Sequence, residues 1–210
     1  MAVPRYIIPN IVVTDVPAPS SSALNGGIEA TSPVAVMVGR LHPQKDSLRS
    51  ARVLVLLASQ QSDLRCKIIG QGPLGTEVAD IVSTGGVSDR VKLLGYRDDA
   101  HSHIGRASAL LTLSRHEGLP NVVLECAALG TPVVASDIPE HVNVLGPDYP
   151  YYVPDDASDE LAASILAKAL ADRNPGAALA YARSRIAAMS AGQVSGSFAA
   201  MLWDVVSRVK

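Results

Sequence analysis

The strongest constraint on the fold of this chain is a regular alternation of short strand-like and longer helix-like segments that begins at residue 32. The predicted strands lie at residues 34–38, 66–69, 90–94, 109–113 and 132–135. The predicted helices between them lie at residues 47–60, 74–83, 98–106 and 121–129. Apolar strands separated by helices are typical of a parallel sheet that is covered on both faces. The pattern therefore predicts an α/β fold, which binds ligands beyond the carboxyl ends of its strands.

The pattern is different on either side of this alternating region. Residues 1–30 contain one short strand, predicted at 6–10, and then a stretch rich in Ser, Pro, Ala and Gly with the composition of a loop. Toward the C-terminus the chain is predicted to be helical, and Ser158 is suited to cap the first helix. These helices are predicted at residues 158–171, 175–189 and 193–209. The sequence thus predicts a linker with a first strand at 1–30, an α/β domain at 31–172, and helices at 173–210 that pack on the same domain.

Charge and cysteine content limit the classes of partner and compartment. The formal net charge is −2, which gives no general electrostatic attraction to nucleic acid or to anionic lipid, so we expect no nucleic-acid partner. The two cysteines, Cys66 and Cys126, fall in apolar segments and are expected to be reduced core residues of a cytoplasmic protein. Neither a signal peptide nor a membrane-spanning segment is predicted.

Two carboxylates stand eight positions apart where a predicted loop runs into the helix at 121–129. Glu117 lies in the loop, and Glu125 lies more than one turn inside a helix that begins near Pro120, a residue suited to a first helical position. Between them, backbone N–H groups point out of the helix start, where they and the helix dipole favour a phosphate. The segment therefore predicts a diphosphate site with a carboxylate for hydroxyl groups on each side. The residues expected to line it between the carboxylates are Gly118, Leu119, Pro120 and Asn121.

The same segment carries a resemblance to a known family. Residues 117–125, read with the Ala-Ala-Leu-Gly-Thr-Pro-Val-Val-Ala-Ser stretch at 127–136, resemble the E-x7-E signature of retaining glycosyltransferases of family 4 (group 1). The resemblance covers about residues 6–170 and implies the C-terminal, donor-binding half of a GT-B enzyme, a Rossmann-like domain with a helical C-terminal extension. It implies that Glu117 contacts the transferred sugar and that Glu125 accepts hydrogen bonds from the two ribose hydroxyls of the donor.

A second motif follows the first predicted strand, where Gly39-Arg40-Leu41 precedes Lys45. Glycine permits a close approach to the backbone, and two cationic side chains can bracket a phosphate. The resemblance implies that Arg40 and Lys45 contact the donor diphosphate and stabilise leaving-group charge, the role that a divalent cation plays elsewhere. No Asp-x-Asp motif is present in the sequence, and we expect transfer without a metal or a cofactor. On spacing alone, a solvated loop is the alternative for the basic pair.

A glycine-rich turn follows the second predicted strand and fits the pattern Gly-x-Gly-x-x-Gly at residues 70–75. The dinucleotide-binding form of this pattern also needs an acidic residue about 20 positions later, at the end of the next strand. That strand runs into Gly95-Tyr96 without a carboxylate, which argues against a nicotinamide cofactor. The resemblance implies a tight turn with Gly72 beside the nucleotide, and a purely structural turn is the alternative. Tyr96 is predicted either to line a base pocket or to be a simple loop aromatic.

Two further polar segments give weaker indications. His101 and His103 do not predict a metal site, because alternate residues diverge on a helix and no acidic or cysteine ligand lies at a recognised spacing. They are interpreted as surface histidines. Residues 136–140, after the last predicted strand, are expected to add polar contacts near the nucleotide.

Together with the resemblance, these motifs imply transfer of a hexosyl group from a nucleoside diphosphate sugar with retention at the anomeric carbon. The implied acceptor is a glycan or lipid-linked glycan bound by an N-terminal domain that the chain lacks, so we expect the chain to bind nucleotide but not to turn over alone. The resemblance is compatible with peripheral membrane association of a full-length cytoplasmic enzyme. Three alternatives stay open: a sugar-nucleotide epimerase of the same fold, a nicotinamide-dependent oxidoreductase, and a non-catalytic nucleotide-binding module.

Overall fold

A parallel sheet forms the centre of the molecule. The structure is a computed structural model that describes residues 32–188, so the predicted strand at 6–10 and the predicted helix at 193–209 lie outside the described residues. Within this range the strands are β1 (Val34–Val38), β2 (Arg65–Ile69), β3 (Val91–Gly95), β4 (Ala109–Thr112), β5 (Val133–Ser136) and β6 (Tyr152–Val153). They pair in the order β3-β2-β1-β4-β5-β6, and every pairing is parallel. The predicted α/β fold is confirmed.

Helices cover both faces of this sheet. In the described part of the chain they are α1 (Ser47–Gln60), α2 (Gly75–Thr84), α3 (Ala100–Gly105), α4 (Asn121–Leu129), α5 (Pro139–Leu145), α6 (Asp159–Ala171), α7 (Pro175–Ala178) and α8 (Ala180–Ala188). Helix contacts group them into two layers, with α1 against α2 and α6, and α4 against α3, α5 and α8. None of these helices, within residues 32–188, has the length and apolar character needed to cross a bilayer.

The strand order creates a switch point between β1 and β4. The chain first builds outward from β1 through β2 to β3, and then returns to place β4 on the other side of β1. The loops that leave β1 and β4 therefore run in opposite directions over the sheet and leave a crevice between them, which is where open parallel sheets bind ligands. The motif that contains Arg40 and Lys45 follows β1, and the segment that contains Glu117 and Glu125 follows β4.

Continuous burial explains why these strands form. Ala35 and Val36 in β1 and Leu110 and Leu111 in β4 have no exposed surface, although neighbouring side chains point to opposite faces of the sheet. A fully buried Leu side chain contributes roughly 1.5–3 kcal/mol relative to an exposed one. By contrast, Lys92 in the edge strand β3 is exposed. The centre of the sheet is therefore a rigid support for the loops at its carboxyl ends.

The structure departs from the predicted elements after β5. Helix α5 and strand β6 were not predicted, because seven and two residues are too few to show a periodic pattern. The helix predicted at 175–189 is divided into α7 and α8 at Leu179, which is fully buried and donates its N–H to the Pro175 carbonyl oxygen at 3.1 Å. Ser158 caps α6, as predicted, by accepting a hydrogen bond from the Leu161 N–H at 3.2 Å.

Candidate functional site

The loop after β1 is held in one conformation by its own hydrogen bonds. A three-residue 3-10 helix, Pro43–Lys45, is capped by His42, whose side chain accepts a hydrogen bond from the Gln44 N–H at 3.3 Å. The His42 N–H donates to Ser47 Oγ at 3.0 Å, and Ser47 is fully buried at the start of α1. These contacts fix the direction in which Lys45 leaves the loop.

Gln44 joins this loop to the loop after β4. Its backbone carbonyl oxygen accepts a hydrogen bond from the Arg115 N–H at 2.9 Å, and its side-chain Nε2 donates to the His116 carbonyl oxygen at 3.1 Å. Arg115 Nε lies 3.5 Å from Asp46 Oδ2, which adds a charged contact between the same loops. Sequence reasoning missed Gln44, because a neutral loop side chain gives no signal of the backbone that it will meet.

Lys45 and Glu117, from the two separate motifs, meet in an ion pair. Lys45 Nζ lies 2.6 Å from Glu117 Oε1, and the Glu117 side chain is only 5% exposed. A carboxylate that is nearly buried needs a charged or hydrogen-bonding partner, which Lys45 supplies. A Cβ added to Gly39 would lie 3.9 Å from Lys45 Cε, so Gly39 borders the same site. The structure thus brings three of the predicted site residues together at the crevice between β1 and β4.

A cavity of about 300 Å³ opens next to Gly39, at the carboxyl ends of β1, β2 and β3. Its lining residues are Val38, Gly39, Arg40, Ile69, Gly70, Gln71, Tyr96, Arg97 and Ala100. Arg40 is exposed and lines this cavity, whereas Lys45 lies on Glu117. The predicted basic pair is therefore divided between two neighbouring parts of one crevice. Tyr96 is 67% exposed at the cavity, so most of its ring is open to a ligand.

The turn between β3 and α3, on the opposite wall of the cavity, is braced by a bidentate pair. Arg97 Nε and Nη2 donate to the two carboxylate oxygens of Asp99 at 2.8 and 3.0 Å. This hydrogen bonding holds the pKa of the Asp99 carboxyl below its ordinary value. Because the pair is exposed, it contributes little to stability, but it orients the turn that leads into α3.

Glu125 lies on α4 beside the first turn of α3. Its side chain is 31% exposed, and Oε2 lies 3.5 Å from His101 Nε2. Burial raises the pKa of the Glu125 carboxyl, and the nearby His101 opposes that rise. Ala100, the residue before His101, lines the cavity, so the helix that contacts Glu125 also contributes to the cavity wall. The residues around Glu125 on α4 that are buried are Val123, Leu124, Cys126 and Ala127.

The start of α4 leaves backbone donors unused. The helix begins at Asn121, so Pro120 is the N-cap residue rather than the first helical residue, and no side chain caps this end. Within residues 32–188, the N–H groups of Gly118, Leu119 and Val122 have no hydrogen-bond partner. The Asn121 N–H is already donated to the Leu119 carbonyl oxygen at 2.9 Å, so binding by Asn121 would use its exposed side chain.

The glycine-rich turn after β2 packs directly on the turn after β1. A Cβ added to Gly70, whose φ is +138°, would lie 1.9 Å from the Gly39 carbonyl oxygen. A Cβ added to Gly72 would lie 2.4 Å from the Leu41 carbonyl oxygen. The Leu41 N–H also donates to the Gln71 carbonyl oxygen at 3.1 Å. The contacts of Gly72 therefore serve the packing of two turns, and its predicted place beside a nucleotide stays a prediction.

A buried histidine that the sequence did not indicate lies near the ion pair. His141 on α5 is fully buried, and its Nδ1 donates to the Ser136 carbonyl oxygen at 2.9 Å. Ser136 Oγ in turn donates to the Ser114 carbonyl oxygen at 2.5 Å, which ties the end of β5 to the loop after β4. Burial lowers the pKa of His141, and the charges of Glu117 and Lys45 act on it in opposite directions. Its Nε2 is buried without a hydrogen-bond partner in the described chain. Sequence reasoning had no signal for it, since α5 itself was not predicted.

The described residues offer neither a metal site nor a reactive thiol. Among residues 32–188, no group of three or more His, Cys, Asp or Glu side chains is arranged to hold a metal ion. Cys66 and Cys126 are buried and free, so their predicted place in the core is confirmed. Burial raises the pKa of Cys66 to about 12, so its thiol is not an activated nucleophile.

Comparisons with known proteins match the described region. The family model for glycosyl transferases group 1 matches residues 32–171, more than half of the chain. The chain is 29% identical over 107 residues to the lipopolysaccharide core biosynthesis glycosyltransferase LpsE of Rhizobium meliloti, covering 51% of this chain and 30% of LpsE. It is 30% identical over 115 residues to the Escherichia coli UDP-Gal:alpha-D-GlcNAc-diphosphoundecaprenol alpha-1,3-galactosyltransferase, covering 53% of this chain and 30% of that enzyme.

Solved structures share the fold. Anabaena HepE, solved in complex with UDP and glucose, superposes with a TM-score of 0.68 at 22% identity, covering 83% of this chain and 49% of HepE. The chain spans about a third of the length of the curated relatives that it matches, and about half of HepE. From the match over residues 32–171 and the fold that contains it, the chain belongs to the group 1 glycosyl transferases, with the GT-B type of Rossmann-like domain.

Proposed function

We propose that this chain is the donor-binding part of a glycosyltransferase that moves a hexosyl group from a nucleoside diphosphate sugar, with retention and without a bound metal. The observation that carries the proposal is the contact of 2.6 Å between Lys45 Nζ and Glu117 Oε1 at the crevice between β1 and β4. An ammonium next to a nearly buried carboxylate supports the proposal that Lys45 serves the diphosphate and Glu117 the sugar. Both residues lie within residues 32–171, the range that the family model matches.

We assign three sources of positive charge to the proposed diphosphate position. Lys45 supplies one full charge, and Arg40 supplies a second from the adjacent cavity. The unused N–H groups of Gly118, Leu119 and Val122 add the dipole of the α4 start. As the glycosidic bond breaks, negative charge grows on the leaving diphosphate, and donors already in place stabilise it without reorganisation. We propose that these groups take the role that a divalent cation plays in other enzymes.

The ribose, the base and the transferred sugar are assigned to residues next to the proposed diphosphate position. Glu125 is proposed to accept hydrogen bonds from the ribose hydroxyls, because a half-buried carboxylate of raised pKa gains from such partners. The cavity of about 300 Å³ next to Gly39 is proposed to take the base, with Tyr96 and Arg97 at its wall. Glu117 then faces the transferred sugar beyond the diphosphate. The order along the crevice is base, ribose, diphosphate and sugar.

The relatives suggest which donor and acceptor to test first. The name of the E. coli relative gives UDP-Gal as its donor and a diphosphoundecaprenol-linked sugar as its acceptor, and HepE was solved with UDP and glucose. We propose a uridine donor and a glycan or lipid-linked acceptor for this protein, acting at the cytoplasmic face with peripheral membrane association. Because the chain spans only about a third of its curated relatives, the acceptor site is assigned to sequence outside it, and the chain alone is expected to bind nucleotide without turnover.

Calorimetric titration of the chain with UDP, GDP and ADP tests the proposal. One nucleotide is expected to bind with a 1:1 stoichiometry, and Glu125→Ala is expected to weaken it about tenfold or more through lost charge-assisted hydrogen bonds. Glu77→Ala, on the exposed side of α2, is the matched control and should bind as the unmodified chain does. Absence of binding by all three nucleotides, or equal binding by Glu125→Ala, would overturn the proposed site.

A further inference from the structure

One contact at the proposed ribose position is not explained by the family motifs. His101 Nε2 faces Glu125 Oε2 at 3.5 Å. Within residues 32–188, no other ion pair involves the Glu125 carboxylate. Oε2 is the oxygen of Glu125 that makes this contact, and the side chain is 31% exposed. One carboxylate oxygen therefore lies next to the imidazole, and Oε1 is the oxygen that a ligand would use.

His101 is held at this position by the start of α3. Arg97 and Asp99 brace the preceding turn, and the Ser102 N–H donates to the Asp99 carbonyl oxygen at 2.9 Å. Ala100, the neighbour of His101, lines the cavity proposed for the base. The His101 side chain is 48% exposed, so the ring reaches the carboxylate without being enclosed. The ring thus lies against the carboxylate and stays accessible, one residue after the helix position that lines the cavity.

The physical need for such a neighbour follows from the burial of Glu125. A carboxylate accepts hydrogen bonds from two hydroxyl groups only while it is ionised, and burial works against ionisation. An imidazole N–H that faces one oxygen favours the ionised form and restricts rotation of the carboxylate. A pre-oriented acceptor loses less conformational freedom when the ligand binds.

We infer that His101 is a positioning residue for Glu125: it holds Oε2 so that Oε1 is presented to the ribose hydroxyls of the nucleotide. This inference rests on the proposed function, since it assumes that Glu125 meets a ribose. It makes His101 part of the discrimination between a ribose and a deoxyribose. The opposite role, a competitor that must leave the carboxylate before the ribose can bind, predicts the opposite sign in the same experiment.

The test is calorimetry of the chain with UDP, GDP and ADP, each paired with its 2′-deoxy counterpart. Asn is too short to reach Glu125 from position 101, whereas Gln can place an N–H donor near the position of the imidazole Nε2. His101→Asn is expected to weaken binding of the ribonucleotide about threefold to tenfold and to affect the deoxynucleotide less. His101→Gln is expected to restore most of the loss. Ser102→Ala, an exposed change on the same helix, is the matched control.

The outcomes distinguish a failure of the role of His101 from a failure of the proposed function. If Glu125→Ala removes the preference for ribose while His101→Asn binds both nucleotides as the control does, the role of His101 is overturned and the proposed function stands. Tighter binding by His101→Asn makes His101 a competitor and also overturns the inference. If the unmodified chain binds none of the nucleotides, both are overturned. Thermal unfolding of each variant confirms that a loss of binding is not a loss of fold.

Discussion

Lys45 and Glu117 are 72 positions apart in the chain, yet Lys45 Nζ and Glu117 Oε1 lie 2.6 Å apart between the ends of β1 and β4. The Glu117 side chain is 5% exposed and the Lys45 side chain is 24% exposed, so the cation is the more accessible member of the pair. A diphosphate that enters the crevice would meet Lys45 first. The pair would then join the two halves of the donor, the diphosphate and the sugar.

The two partners of this pair are expected to affect different parts of the donor. Lys45→Met should weaken UDP binding by about tenfold or more, because a charge-assisted contact to phosphate is lost. Glu117→Gln should keep or strengthen UDP binding, since it removes a negative charge near the diphosphate, but should lose any added affinity for UDP-glucose or UDP-galactose over UDP. Calorimetry with the three ligands measures both effects. An equal loss of UDP affinity in both variants would contradict this division of roles.

The glycine turns give a prediction about stability that is separate from binding. Gly70→Ala should lower the free energy of unfolding by about 3 kcal/mol or more, because the new Cβ would lie 1.9 Å from the Gly39 carbonyl oxygen at a φ of +138°. Gly118→Ala, where a new Cβ meets no atom within 4 Å, should change it by less than about 0.5 kcal/mol. Urea unfolding measures both. Similar losses in the two variants would contradict the close packing of the two turns.

Gln44 is expected to act through the loop after β4. Gln44→Ala removes the side-chain hydrogen bond to the His116 carbonyl oxygen and should cost about 1 kcal/mol of unfolding free energy. It should also weaken UDP binding, because the loop that carries Glu117 loses one of its attachments to the loop that carries Lys45. Gln60→Ala, at the exposed end of α1, is the control. UDP affinity that is unchanged in Gln44→Ala would show that the loops are held without it.

His141 is expected to make the free energy of unfolding depend on pH. Burial lowers the pKa of His141 below its ordinary value of 6.5, so between the two values the unfolded chain binds a proton that the folded chain does not. This contribution is therefore present above pH 6.5 and is lost as the pH falls below it. His141→Asn, which keeps a donor for the Ser136 carbonyl oxygen, should reduce the fall in stability between pH 7.5 and 5.5 by on the order of 1 kcal/mol. Urea unfolding at both pH values measures this, and an unchanged slope in the variant would contradict it.

The features that depend on a local pattern of apolar and polar residues could be predicted from the sequence. The strands are recognisable because both faces of β1 and β4 are buried, which forces a continuous apolar run. The approach of Lys45 to Glu117 follows from the fold, since the carboxyl ends of neighbouring parallel strands share one edge of the sheet. The sequence therefore predicted one diphosphate site with a basic pair and two carboxylates, but not the direct contact between Lys45 and Glu117.

The remaining features depend on contacts between distant segments. Gln44 and His141 gave no signal because their roles come from a partner carbonyl and from burial, respectively, and neither is visible in the neighbouring residues. His101 was interpreted as a surface histidine, and its exposure agrees with that, but its distance to Glu125 depends on how α3 lies against α4. The division of the helix at 175–189 likewise follows from the burial of Leu179.

The position of a bound diphosphate tests the central claim most directly. A crystal structure of the chain with UDP is predicted to place β-phosphate oxygens about 3 Å from Lys45 Nζ and from unused N–H groups at the start of α4, with the ribose at Glu125. A diphosphate bound out of reach of both Lys45 and the start of α4, or a ribose that turns away from Glu125, would contradict the account.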